Sequence, residues 1–148
     1  MSKKEELVEK LIKTIIAEEG GIVDENGIKK IKDPSGVMAI KTKTVRVQSW
    51  GDKGVYLTQA TSVEETPRMG CGVMELDGTG SLDWTLTYDE YDYVIDGILE
   101  IQVDGRSVIG TEGDIIYIPK GTHVVFNTPS STRYAYFAYP IDAVEEIL

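Results

Sequence analysis

From residue 37 onward the chain is a succession of short β-branched and aromatic runs broken by turn dipeptides. Val37–Trp50, Val55–Thr61, Met69–Leu76, Trp84–Thr87, Glu90–Ile95, Ile98–Val103, Asp114–Ile118, His123–Asn127 and Tyr134–Tyr139 read as strands. Asp77-Gly78, Asp96-Gly97, Asp104-Gly105, Gly113-Asp114 and Asn127-Thr128-Pro129 supply turns, with hairpins expected around Asp96-Gly97 and Asp104-Gly105. Val, Ile and Thr number 43 against 14 Leu and Ala, a bias toward residues that suit a pleated surface and lose rotamer freedom in a helix. Such a series predicts an all-β sandwich or closed barrel.

The N-terminal segment follows a different rule. Ser2-Lys3-Lys4-Glu5 has the form of a capping box. Leu7, Val8, Leu11, Ile12, Ile15 and Ile16 then recur at helical spacing, with Glu6, Glu9, Lys10 and Lys13 on the other side. Gly20-Gly21 is expected to stop this helix. The expected layout is an amphipathic helix over 1–20, a linker over 21–36 and a barrel over 37–148. The helix packs on its own protein or a second subunit, or serves as a detachable address laid in a partner's groove.

Composition narrows the functional classes. One cysteine, Cys71, excludes an internal disulfide framework and fits a reducing, cytoplasmic setting. No apolar run is long enough to cross a membrane, and the charged N-terminus does not read as a secretory signal. A net charge of −10 argues against nucleic acid as partner, because phosphate binding needs a basic surface. The charge is uneven. Residues 64–114 hold 13 acids opposed by Arg68 and Arg106, while Lys29 to Lys53 has seven bases against two acids. That basic stretch is expected to lie across an acidic surface of the barrel or of a second chain. Most of the acids are expected on turns and exposed faces.

Two stretches carry a resemblance. Gly78-x5-Trp84-x-Leu86-x3-Glu90-x6-Gly97 has the spacing of the first cupin motif. Gly113-x5-Pro119-x-Gly121-x-His123-x3-Asn127 resembles the second, one residue short between Gly and His. The resemblance implies a cupin-type β-barrel, a double-stranded β-helix of jelly-roll kind, over about residues 50–140. Trp84-Thr85-Leu86-Thr87-Tyr88-Asp89-Glu90, Asp92, Val94, Gly113-Asp114, Ile118-Pro119-Lys120-Gly121, Thr128-Pro129-Ser130-Ser131, Arg133 and Pro140 are similar to the EutQ family, the cupins of ethanolamine-utilisation operons. That resemblance implies association with a bacterial microcompartment. It also implies acetate kinase activity, in which acetate and ATP give acetyl phosphate and ADP or the reverse. Acetate and ATP would be the small-molecule ligands. Docking on shell proteins through residues 2–19 would follow, and a homodimer is expected because exposed sheet edges otherwise invite aggregation.

The candidate chemistry centres on Glu90 and Asp92. A metal cupin uses three imidazoles and a carboxylate. Here Trp84 and Leu86 stand where the first two His would be, so no tightly bound transition metal is expected. His123 then reads as a hydrogen-bonded wall residue or as a substrate contact. Alternation puts Glu90, Asp92 and Val94 on one face and Tyr91, Tyr93 and Ile95 on the other. By resemblance the Glu90 face points into the barrel. Two carboxylates sharing a cavity raise at least one pKa and can act as acid and base, or hold the Mg²⁺ of Mg-ATP. Otherwise one of them caps backbone amides or pairs with Arg133. Trp84, Tyr88, Tyr117, Phe126 and Tyr136 are the expected aromatic lining. Lys120 and Arg133 are the candidate cations for a phosphate, because the chain has no glycine-rich phosphate loop.

Overall fold

The computed structural model describes residues 2–19 and 21–140, without the side chains of residues 12–19. The chain divides into two units, Met1–Arg46 and Val47–Leu148.

In the first unit, α1 (Lys3–Glu19) opens on the capping box. The Glu5 amide donates to Ser2 Oγ at 3.1 Å and the Ser2 amide to Glu5 Oε2 at 3.3 Å. Leu7, Val8 and Leu11 are exposed. The remainder of the expected apolar face, Ile12, Ile15 and Ile16, and the stop at Gly20 lie outside the described residues.

Residues 21–36 are not the expected linker. They carry β1 (Gly21–Val23) and β2 (Lys29–Lys32), which join β3 (Met38–Ile40) in an antiparallel three-stranded sheet. The cause is Asp24. Its Oδ1 accepts the amides of Asn26 at 2.8 Å and Ile28 at 2.9 Å, and its Oδ2 lies 3.1 Å from the ammonium of buried Lys30. An aspartate turn of this kind makes a hairpin from a stretch whose composition alone suggests flexibility. The expected strand Val37–Trp50 is likewise divided. β3 ends at Ile40, a 3₁₀ turn runs over Thr42–Thr44, and β4 (Gln48–Ser49) belongs to the second unit.

Among its described residues the second unit is all β. It holds β4 to β7 (β5 Val55–Gln59, β6 Gly70–Leu76, β7 Leu82–Thr85), the 15-residue β8 (Asp89–Val103), and then β9 (Arg106–Thr111), β10 (Ile115–Ile118), β11 (His123–Asn127) and β12 (Thr132–Tyr139). The strand path is β4-β5-β6-β12-β8-β11-β7, with β9 and β10 also paired to β8, all antiparallel. β8 serves both halves of the barrel. Its first half pairs with β12 and β10, and its second half with β9 and β11.

The hairpin expected at Asp96-Gly97 is absent because β8 runs straight through it. Gly97 has φ +76° and pairs with Thr132, and the register against β12 slips between Arg133 and Tyr134, which leaves Ile95 as a bulge two residues before the glycine. The Asp104-Gly105 hairpin does form, joining β8 to β9 with Val103 opposite Arg106.

Alternation along the strands builds the core. Leu86, Val94, Leu99, Ile101, Ile116, Ile118, Val124, Phe126 and Tyr134 are buried, and each removes about 1.5–3 kcal/mol worth of apolar surface from water. Phe126 and Tyr134 stack with ring centres 6.3 Å apart. The opposite faces of β8, β10 and β12 expose Tyr91, Tyr93, Ile115, Tyr117 and Phe137. Among the described residues no helix is long and apolar enough to cross a membrane.

Candidate functional site

Glu90 and Asp92 occupy the inner face of β8, as alternation requires. Tyr91 and Tyr93 point outward with about half of their surface exposed, while Asp92 has none. No donor reaches Glu90 Oε2, Asp92 Oδ1, Asp92 Oδ2 or the Tyr136 hydroxyl, and all four atoms are closed to solvent. Burial pushes Glu90 up to about 7, with the neighbouring Asp92 side chain pulling the other way. Burial pushes Asp92 well above the usual carboxylate range, and the charge of Glu90 adds to it. Burial disfavours a charge on either carboxyl, and two charges side by side disfavour one another further. The pair therefore holds a proton at neutral pH.

Tyrosines surround this pair. Tyr88, Tyr134 and Tyr136 are all buried, and burial raises each phenol's pKa, with the Glu90 or Asp92 charge next. The Tyr134 hydroxyl contacts Met74 Sδ at 3.1 Å. Tyr136 lies opposite Asp92 across the β8–β12 ladder and rests on Gly72 of β6, where a Cβ would overlap its ring. Only glycine leaves room there for the phenol.

The structure therefore brings Glu90, Asp92, Tyr88, Tyr136 and Phe126 into one interior, with Trp84 partly buried beside the core. Trp84 also meets Trp50 edge-on with ring centres 5.8 Å apart. The other residues singled out from sequence lie elsewhere. Tyr117 is exposed between inward Ile116 and Ile118, meets Tyr91 with ring centres 5.2 Å apart and planes tilted by 45°, and donates to Asp89 at 3.1 Å. Lys120 is exposed in the turn after β10, and its amide donates to Asp89 at 2.8 Å. Arg133 projects from the outer side of β12 and holds Glu75 Oε2 at 2.8 Å. His123 is also outward. Its Nε2 lies 2.5 Å from Asp83 Oδ1, and both side chains are more than half exposed.

Among the described residues no three His, Cys, Asp or Glu side chains converge as metal ligands. The oxygen-only donor set of Glu90 and Asp92 suits a hard cation such as Mg²⁺, provided that the substrate supplies further ligands.

Sequence reasoning missed a second feature. A cavity of about 340 Å³ opens between the tip of the β8–β9 hairpin and the start of β11. Gln102, Asp104, Arg106, Ser107 and His123 supply its polar wall. Arg106 reaches Asp104 loosely, at 3.7 Å between Nη2 and Oδ2. Ser107 donates to Glu100 at 2.7 Å, and the Asn127 amide donates to the other Glu100 oxygen at 3.0 Å. The available signal was the Asp104-Gly105 turn, which places a base and an acid at one hairpin tip.

Residues 3–145 match the family model described as Ethanolamine utilisation protein EutQ. The chain is 44% identical over 144 residues to the protein named Acetate kinase EutQ of Clostridioides difficile (strain 630), which covers 92% of this chain and 91% of that one. It is 30% identical over 138 residues to the Acetate kinase EutQ of Escherichia coli (strain K12), spanning 91% of this chain but only 58% of that relative. The solved structure of the Clostridium difficile EutQ protein superposes with TM-score 0.75 at 44% identity, over 80% of this chain and 99% of that one. An RmlC-like cupin from Shewanella frigidimarina superposes with TM-score 0.56 at 15% identity, over 66% of this chain and 86% of that one, a likeness of fold alone.

Proposed function

The chain belongs to the EutQ family of ethanolamine utilisation proteins, and on that footing we propose that its barrel transfers a phosphoryl group between ATP and acetate. In the forward direction an acetate oxygen attacks the terminal phosphorus as the bond to ADP breaks, giving acetyl phosphate. Acetate at neutral pH is already ionised, so this reaction needs no base to create its nucleophile. It needs orientation, exclusion of water and a counter-charge for the transferring oxygens.

The observation that supports this reading is the group of orphaned oxygens on Glu90 and Asp92. Glu90 and Asp92 would hold Mg²⁺, and the ion would neutralise phosphate oxygens when bound. Tyr88 and Tyr136 keep water from the acid pair, since both are buried beside it. They must part for a ligand to enter, because solvent does not reach the orphaned atoms. Without metal the pair carries a proton, which lowers its charge and limits repulsion of an incoming anion.

The test is ADP release from acetate and Mg-ATP by the wild type, Glu90→Gln and Asp92→Asn. The proposal expects each variant to lose at least about tenfold, the low end of the loss that follows removal of a group supporting a bound metal. Equal rates in all three proteins would reject the site.

A second reading concerns α1. Its exposed Leu7, Val8 and Leu11 support a role in docking on microcompartment shell proteins. Residues 1–20 fused to a fluorescent reporter should then gather at compartments. A diffuse signal in cells that contain compartments would reject it.

A further inference from the structure

The orphaned oxygens of Glu90 and Asp92 are sealed from water, so a ligand that reaches them needs a way in. The strand order shows where the barrel is weakest. Along the path β4-β5-β6-β12-β8-β11-β7 every neighbour is joined by backbone hydrogen bonds. The two ends of the path are not joined in this way. Among the described residues β7 pairs only with β11, and β4 only with β5. A contact of side chains bridges the ends instead, where Trp50, just after β4, meets Trp84 of β7 edge-on at 5.8 Å.

We propose that this seam between β7 and the β4–β5 hairpin is the entrance to the acid pair, and that Trp50 is the residue that opens it to small ligands. The proposal rests on the phosphotransfer reading only in taking Glu90 and Asp92 as a ligand site. Exposure agrees with it. Five apolar side chains pack on the core yet stay partly open to water. Val103 apart, they flank the seam: Trp50, Leu57 of β5 and Val63 of the following loop on one side, Trp84 on the other.

From the seam the inner face leads to the acids. The Tyr88 phenol feels the Trp84 side chain on one side and the charges of Glu90 and Asp92 on the other. Across the sheet, Ala138 of β12 stands opposite Glu90, and Gly70 of β6 stands opposite Ala138, so no bulky side chain fills that row. The Trp50 backbone is held, because its amide donates to the Val55 carbonyl at 3.0 Å. The Asp77 amide also donates to the Gly54 carbonyl at 3.2 Å, which ties the β4–β5 turn to the segment before β7. Opening therefore falls to the indole. A change of its rotamer gives up one aromatic contact and breaks no backbone hydrogen bond. Parting any two neighbouring strands of the path breaks a ladder.

Labelling of the full chain with dicyclohexylcarbodiimide at neutral pH tests this, because the reagent is apolar and adds to protonated carboxyls. Fragment mass spectra of the peptide carrying Glu90 and Asp92 give the rate. Trp50→Ala should label these two acids at least about threefold faster than the wild type, within the factor that an edge-to-face aromatic pair contributes. Trp50→Phe keeps a ring at the seam and should fall between the two. Val103→Ala trims a partly buried core side chain at the β8–β9 hairpin and should label as the wild type does. Equal rates in the wild type and both Trp50 variants overturn the proposal. So does equal acceleration in Trp50→Ala and Val103→Ala, which marks a loosening of the whole core. The two readings fail separately. Labelling that follows Trp50, with no ADP formed from acetate, rejects phosphotransfer and leaves the entrance. Turnover by a protein whose labelling ignores Trp50 rejects the entrance and leaves phosphotransfer.

Discussion

Glu90 and Asp92 stand two residues apart on the inner face of β8, and three of their four carboxyl oxygens reach no donor. An unpaired charge in such a place destabilises the fold, and a proton relieves it. The pair thereby couples the protonation of the site to the stability of the barrel.

Stability should fall as pH rises through neutrality. Both acids have folded-state values raised above their ordinary values of 4.5 and 3.8, Glu90 to about 7. The folded chain therefore binds protons that the unfolded chain has released. The resulting stability is fully present below about pH 4 and is lost as pH climbs through 7 and beyond. Urea midpoints measured at pH 5.5 and 8.5 should differ by on the order of 2 kcal/mol in favour of the lower pH. Asp92→Asn should flatten that difference. Equal slopes for the two proteins would show that the pair is not the titrating unit.

Tyr136→Phe should leave the barrel as stable as the wild type or stabilise it by about 1 kcal/mol. The hydroxyl is buried and unpartnered, so its removal relieves a desolvation cost and breaks no hydrogen bond. The ring remains in place over Gly72. Thermal melts at pH 6 check this. A loss of more than 1 kcal/mol would mean that the hydroxyl has a partner.

How far the sequence reaches can be judged from particular residues. The inward set of β8 was legible because Glu90, Asp92 and Val94 alternate cleanly with two tyrosines, and period-two patterning needs no knowledge of neighbours. Asp96-Gly97 looks like a hairpin turn because a glycine at positive φ also serves beside a bulge inside a continuous strand. Only the pairing of β12 along the whole of β8 decides between them. Tyr117 and His123 sit one residue out of phase with inward neighbours, Ile116 and Val124, and a motif spacing does not fix that phase. The hairpin cleft was illegible because Arg106 of β9 and His123 of β11 come to one cavity only through the pairing of both strands with β8.

Asp24→Ala should destabilise the first unit by about 2–3 kcal/mol. The substitution removes two amide acceptors and the carboxylate 3.1 Å from Lys30, a side chain only 3% exposed. Taking one partner from a buried ion pair has a larger effect than the same change on the surface. Asp24→Asn keeps an acceptor for the amides and should lose less. Cleavage by trypsin within residues 29–43 should accelerate in both variants, more in Asp24→Ala. Unchanged cleavage in Asp24→Ala would mean that Asp24 does not hold the hairpin.

Gly97→Ala should strongly destabilise the barrel. Gly97 has φ +76°, where an L side chain is strained, and a Cβ there would overlap the Ser131 carbonyl. That carbonyl is not free to move, because it accepts the Ile98 amide at 3.0 Å and so ties β8 to the start of β12. The methyl must break this hydrogen bond or push β12 away from β8. Either response disturbs the strand that carries Tyr134 and Tyr136 against the acid pair. The expected loss is about 2–4 kcal/mol, read from urea denaturation. Gly105→Ala is the control. Gly105 has a similar φ of +73° but nothing lies near its added Cβ, so it should lose only about 1 kcal/mol. If the two variants lose the same amount, backbone strain alone accounts for both and the contact between Gly97 and Ser131 contributes nothing.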